Sequence, residues 1–277
     1  MKGWGRPATY LIVCLLVAAL IIVWVLHVRE LRLHGLLVDL EFDGPDPSRH
    51  SQLREALTVR LAGEVGELRN YRISLDQIHF SEFDDNAWKS KPLDFLVLSP
   101  QSTPWYMYKE EAGRKLRRAK KTLRNIIAQG RPPVLAICGG HQFLALAFGG
   151  RVDFIDPRFV GKYPDQYPRE ARGERGVVEL ETLAPDPIFQ GVTTHPGRFR
   201  VVQSHHEEVK TVPRPFVNLA RSQMSEIQIL RAPGKPVYGV AFHPERGWDA
   251  NNRTGEAIPE GKRILANFFL MAARAKK

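Results

Sequence analysis

VLAICGGHQFLALAFGG, from Val134 to Gly150, is the stretch whose reading decides the fold. Pro132 and Pro133 precede a short, uninterrupted apolar run, the pattern of a strand buried on both faces. The run ends at Cys138, and a helix is expected within a few residues, from Gln142 to Phe148. Ligands of open α/β sheets bind at the carboxyl ends of the strands. A cysteine on such a strand-to-helix turn is held exposed, with backbone amides nearby for an oxyanion. The helix N-terminus favours the thiolate. Gly139 and Gly140 permit a tight turn and close helix–sheet packing. Alone, the motif is equally compatible with a buried structural cysteine.

The same alternation extends outward. LLVDLEF (Leu36–Phe42) is a short apolar run broken by Gly44-Pro45-Asp46-Pro47, after which Ser48 or Ser51 caps a helix running to about Ala62. Tyr71–Leu75 and Asp94–Ser99 read as strands, and Met107–Gln129 as a long helix stopped by Gly130. The second half is richer in strands (GVVELETL, RFRVVQS, FVNLARS, IQILRA, VYGVAFH) and closes with a helix from Lys262 to Ala273. Strands alternating with helices predict an α/β fold with a central, mostly parallel sheet.

A thiolate nucleophile needs a base, and the base needs an orienting group. VAFHPE supplies both at the end of another strand: in extended chain His243 and Glu245 point to the same face, and Pro244 disfavours helix at His243. His243 is thus the candidate acid/base for Cys138, with Glu245 fixing its tautomer. By itself a solvated His-Pro-Glu turn is the plainer reading. Together with the cysteine turn, the motif points to catalysis.

At this point the sequence resembles a known family. AICGGHQ is similar to the G-x-C-x-G-x-Q elbow of the class I (triad-type) glutamine amidotransferases, and VAFHPE to their G-V-Q-F-H-P-E block. QSHHEEV (Gln203–Val209) looks like the family's S-H-x-x-x-V stretch. LALAFGGRV and DPIFQGV (Asp186–Val192) match further blocks, all in family order from about Leu36 to Ala273. The resemblance implies a flavodoxin-like sheet flanked by helices, and attack of Cys138 on the side-chain amide of glutamine through a γ-glutamyl thioester. It further implies the Gly139 amide as an oxyanion donor, Gln142 as a substrate-holding side chain, and Ser204 with His205 lining the amino-acid end of the site. Three departures stand out. Ala136 replaces the first elbow glycine, and Ala241 replaces the glutamine of the F-H-P-E block. Ser99-Pro100-Gln101-Ser102-Thr103-Pro104-Trp105 replaces the usual S-G-G-P oxyanion loop, leaving the amides of Gln101 or Ser102 as the second donor, because Pro100 has none.

The 277 residues are 43% hydrophobic and 25% charged, which excludes wholesale disorder and a disulfide scaffold. Ala8–Leu26 carries no charge and no proline, and nearly spans a hydrocarbon core; it is expected as an uncleaved single-pass anchor rather than a signal peptide. The expected organisation is therefore a tail (1–7), an anchor (8–26), a juxtamembrane linker (27–35) and a catalytic domain (36–277). Basic residues flank the anchor equally, so orientation rests on the thiolate, which survives best in a reducing compartment; this places the catalytic domain on the cytoplasmic face. The net charge of +10 is partly concentrated in residues 109–124, readable as a solvated helix or as a contact for anionic headgroups. Nucleic acid is set aside because no binding motif accompanies the charge. The histidines fit no zinc spacing, and no metal or cofactor is implied. The leading function is release of ammonia from glutamine for a synthase in trans. The alternatives are a stand-alone γ-glutamyl or amide hydrolase on the same triad, and a non-catalytic tethered scaffold.

Overall fold

The computed structural model describes residues 14–17, 31–61, 66–108, 111–164, 168, 170–192, 197–248 and 255–276. In chain order the strands are β1 (Leu31–Asp39), β2 (Tyr71–His79), β3 (Phe95–Leu98), β4 (Val134–Ile137), β5 (Val152–Phe154), β6 (Glu174–Thr182), β7 (Arg198–His205), β8 (Glu207–Val209), β9 (Val217–Asn218), β10 (Ala220–Arg221), β11 (Ile229–Arg231) and β12 (Val237–Val240). The helices are α1 (Ser51–Glu55, continued by a π turn over Ala56–Arg60), α2 (Asp85–Lys89), α3 (Glu111–Gln129), α4 (Gly139–Ala147) and α5 (Pro259–Ala275).

Seven strands form the central sheet in the order β2-β1-β3-β4-β12-β11-β9. β2, β1, β3, β4 and β12 pair in parallel, and β11 and β9 complete the sheet antiparallel. A three-stranded antiparallel sheet (β10-β6-β7) and the β5-β8 pair stand beside it. The continuous apolar runs reflect burial on both faces. Along β4, Val134 and Ala136 pack in one layer, with Leu123 and Ile126 of α3 and Phe143 and Leu144 of α4. Leu135 and Ile137 pack in the other, with Leu57, with Phe268 and Phe269 of α5, and with Phe199 and Val201 of β7. Each buried Val, Leu, Ile or Phe among them contributes about 1.5–3 kcal/mol. Ala136 takes its place in the first layer, fully buried, so the methyl is accommodated.

Several boundaries differ from the sequence reading. β1 begins at Leu31, and Leu31–Gly35, expected within a linker, pair in register with Tyr71–Leu75. Leu31 and Arg32 form the exposed end of the strand, Leu33 is buried and His34 half-buried. α3 starts at Glu111 because Trp105–Met107 forms a separate 3-10 turn. FVNLARS divides into β9 and β10, which belong to different sheets.

The membrane expectations are corrected. Among the described residues no helix is long and apolar enough to cross a membrane. Of the stretch 8–26 only residues 14–17 are described, as one exposed helical turn; the remainder, like the tail 1–7, lies outside the described residues. The single-pass localisation with a cytoplasmic catalytic face therefore has no structural basis. Headgroup contact through 109–124 likewise gains no support from the described residues. The apolar side of α3 is packed into the core, Arg124 donates to the carbonyl of Ala147 at 2.7 Å, and Arg118 donates to the carbonyl of Ser81. Arg118 and Arg124 thus bond the protein's own backbone, while Arg114, Lys115, Arg117 and Lys121 are exposed.

Candidate active site

The site lies where two neighbouring parallel strands end. β4 and β12 pair Ile137 with Val240, and the amide of Cys138 donates to the Val240 carbonyl at 2.8 Å. Cys138 then turns sharply, with φ 49° and ψ −105°, a conformation that L-residues rarely adopt. α4 begins at the next residue, three earlier than expected, because the two glycines let it pack flush. A Cβ on Gly140 would lie 2.5 Å from the carbonyl oxygen of Leu98. One on Gly139 would lie 2.2 Å from Cγ and 2.8 Å from the backbone nitrogen of Gln101.

From β12 the chain runs through Ala241 and Phe242 to His243, whose amide donates to the Val202 carbonyl at 2.8 Å and ties it to β7. Pro244–Arg246 is a 3-10 turn rather than the extended chain expected, yet it still carries the Glu245 carboxylate back to His243. The Nδ1 of His243 lies 2.7 Å from Oε1 of Glu245, which leaves Nε2 for the sulfur. His243 and Glu245 are each 3% exposed and Cys138 5%. Burial opposes ionisation of the Cys138 thiol, but the charge of His243 and its hydrogen bond outweigh it and hold the thiol below its ordinary value. Burial likewise works against charged His243; the Glu245 carboxylate and the thiolate overcome it and raise the ring to about 9. Glu245 is held low despite burial, chiefly by His243.

These three side chains line a cleft of about 490 Å³ together with Pro100, Gln101, Ser102, Gln142, Ser204 and His205. The structure thus brings every sequence-predicted residue except Gly139 onto one cleft wall, with Gly139 directly beneath Gln101. It also separates the two candidate loop donors. The amide and hydroxyl of Ser102 both donate to Oε2 of Glu41, at 3.1 and 2.8 Å, whereas the backbone nitrogen of Gln101 lies against Gly139. Gln142 is buried and engaged on both ends: Oε1 accepts from Trp105 Nε1 and Nε2 donates to the Glu207 carbonyl, both at 2.8 Å. One lone pair and one N–H remain to it. Ser204 is exposed in the cleft, while the ring of His205 turns to Glu174 and the Glu207 carbonyl.

Sequence reasoning missed several members of the wall. Arg175 donates to Nε2 of His206, whose Nδ1 faces the Ala171 carbonyl at 2.9 Å, so His206 is a neutral acceptor holding a guanidinium at the cleft. Glu207 is raised to about 7 by burial. The Arg175–His206 pairing had no local signal, because the two are brought together by the β6–β7 ladder across 31 residues.

Residues 65–271 match the family described as Glutamine amidotransferase class-I. The chain is 35% identical over 142 residues to a glutamine-hydrolyzing GMP synthase subunit of Methanosarcina acetivorans, a match covering 51% of this chain and 61% of that one. It is 40% identical over 113 residues to the corresponding GMP synthase subunit from Pyrococcus abyssi, covering 41% and 50%. The matched segments thus span 61% and 50% of these relatives' length. Among solved structures, a putative GMP synthase subunit protein from Thermoplasma acidophilum superposes with a TM-score of 0.58 at 23% identity, over 88% of this chain and 96% of that one, a likeness of fold.

Proposed function

The chain belongs to the class I glutamine amidotransferase family, and from that premise we propose that it hydrolyses the side-chain amide of glutamine at Cys138 and passes the ammonia to a synthase in trans. The observation that carries the reading is the hydrogen-bonded series Cys138, His243, Glu245, set on a strained turn at the floor of the cleft. The lowered thiol and the raised imidazole both favour the thiolate–imidazolium form of the pair. The sulfur attacks the amide carbon, and the developing oxyanion is received by the amides of Gly139 and Gln101. Imidazolium His243 gives its proton to the leaving nitrogen, the C–N bond breaks, and a γ-glutamyl thioester remains. Neutral His243 then takes a proton from water; hydroxide adds to the thioester, the C–S bond breaks, and glutamate leaves with the thiolate restored. Glu245 keeps Nδ1 protonated throughout, so that Nε2 faces the reaction.

Gln142, with its remaining N–H and lone pair, and Ser204, exposed on the wall, are the proposed contacts for the amino-acid end of the substrate. A synthase partner is proposed from the likeness to the GMP synthase subunits. The test follows ammonia and glutamate release from a panel of glutamine and γ-glutamyl compounds, with and without the partner synthase. Release from free glutamine, stimulated by the synthase, is the expected result. Turnover confined to γ-glutamyl conjugates overturns the amidotransferase reading in favour of a stand-alone hydrolase.

A further inference from the structure

Behind the nucleophile stands a second histidine–carboxylate pair. His205 and Glu174 are register partners on β7 and β6, and both are almost entirely buried, at 6% and 2% exposure. Nδ1 of His205 lies 2.8 Å from the carbonyl oxygen of Glu207, and Nε2 lies 3.1 Å from Oε2 of Glu174. A carbonyl only accepts, and so does an ionised carboxylate. A ring that meets both must carry a proton on each nitrogen, which makes it an imidazolium. The carboxylate is itself fixed as an acceptor: Gln228 Nε2 donates to the same Oε2 at 2.7 Å, and Gln228 is oriented by Gln203 Nε2, which donates to its Oε1 at 2.7 Å. His205 lines the cleft with Cys138, whereas Glu174 lies behind it.

We propose that His205, held permanently cationic by Glu174, is a positioning residue that favours the Cys138 thiolate without exchanging a proton with it. The inference deepens the reading of Cys138 as nucleophile and rests on it. Other titratable groups close to the ring are committed elsewhere or uncharged. Burial keeps His141 neutral, with its value near 4, and burial together with Arg175 keeps His206 neutral. Glu207 is biased towards its neutral acid, and Glu245 is committed to His243. Burial works against a charged His205, but Glu174 and the thiolate hold it above its ordinary value, and Glu174 is correspondingly held low. A division of labour follows. His243 cycles between its two forms, while His205 does not. The thiolate is therefore stabilised by a constant charge at the step where it must leave the thioester, whatever the state of the acid/base.

The experiment uses the full chain carrying Cys14→Ser and follows alkylation of Cys138 by iodoacetamide against pH by mass spectrometry. Glu174→Gln keeps an amide in hydrogen-bond reach of Nε2 but removes the charge that holds the ring doubly protonated. The alkylation midpoint is expected to rise by about one pH unit, a tenfold loss of thiolate at a given pH below it, and Glu174→Asp is expected to restore the profile. An unchanged midpoint in folded Glu174→Gln overturns the proposal. Should that variant fail to fold, nitrogen-15 NMR of histidine-labelled wild type decides: both ring nitrogens of His205 protonated from pH 5 to 8 supports it, and a neutral ring in that range overturns it. Glutamine hydrolysis measured on the same samples separates the two ideas. A shifted midpoint with no glutamine turnover in wild type defeats the glutaminase reading alone, and normal turnover with an unmoved midpoint defeats only the second cation.

Discussion

Gly139→Ala tests the oxyanion assignment without touching the triad. Gly139 has no Cβ where Gln101 crosses it. A methyl there would stand 2.8 Å from the Gln101 backbone nitrogen and 2.2 Å from its Cγ, whereas ordinary contact begins at 3.4 Å. The Gln101 nitrogen must retreat from Gly139 by about 0.6 Å and the side chain by about twice that, which displaces the amide proposed to receive the oxyanion. Misplacement on this scale, or loss of one donor, costs about 10²-fold in kcat, or ~2.7 kcal/mol of transition-state stabilisation. Alanine suits the first turn of α4, so the folded state should survive. Ammonia release from glutamine at saturation should therefore fall about a hundredfold while iodoacetamide labels Cys138 at the parental rate. A folded variant that keeps kcat within about threefold of its parent, too small a change for a lost donor, would show that the Gln101 amide does not receive the oxyanion.

Cys138→Ala and Cys138→Ser should each abolish glutamine turnover with the circular dichroism spectrum unchanged; any residual turnover that labels no other residue defeats the thioester route. Glu245→Gln, which keeps the hydrogen bond to Nδ1 and removes the charge, should lower kcat by about 10²- to 10⁴-fold, less than His243→Ala, and should move the alkylation midpoint of Cys138 upward. Glu207 sets a stability term of known sign. Its folded value, about 7, lies above the ordinary 4.5, so the native state binds the extra proton and stability falls as pH rises between those values. Glu207→Gln should remove a loss on the order of 3 kcal/mol, read as a wild-type Tm that declines relative to the variant from pH 4.5 to 7. Parallel Tm profiles would refute it.

How legible each part was in the sequence follows from how local its physics is. FLVL, VLAI and VYGV are buried on both faces, and their uninterrupted apolar runs announce a central parallel sheet. The meeting of Cys138, His243 and Glu245 was legible because the turns that carry them follow β4 and β12 immediately. The start of α4 was obscured by Gly139 and Gly140, which resemble a helix-breaking pair until Leu98 and Gln101 are seen pressing on them. The choice between Gln101 and Ser102 depended on Glu41, some sixty residues earlier. The Glu174–His205–Gln228 network was hidden for the same reason. Its members are joined by ladder register and a crossing side chain over 31 to 54 residues, and nothing local marks an ion pair formed that way.

The turn at Cys138 has an evolutionary consequence. At φ 49° and ψ −105° the backbone sits where glycine is at ease and every residue with a Cβ is strained, by about 1–3 kcal/mol. The fold alone would therefore choose glycine at position 138, and folding gains nothing from a cysteine in that conformation. A lineage released from the need for this chemistry has an immediate, stabilising route to losing it, through a single residue. On the proposed mechanism the cysteine is kept at this turn for turnover and not for folding, and a relative that has given up the chemistry is expected to show a small residue here ahead of any change at the histidine or the glutamate.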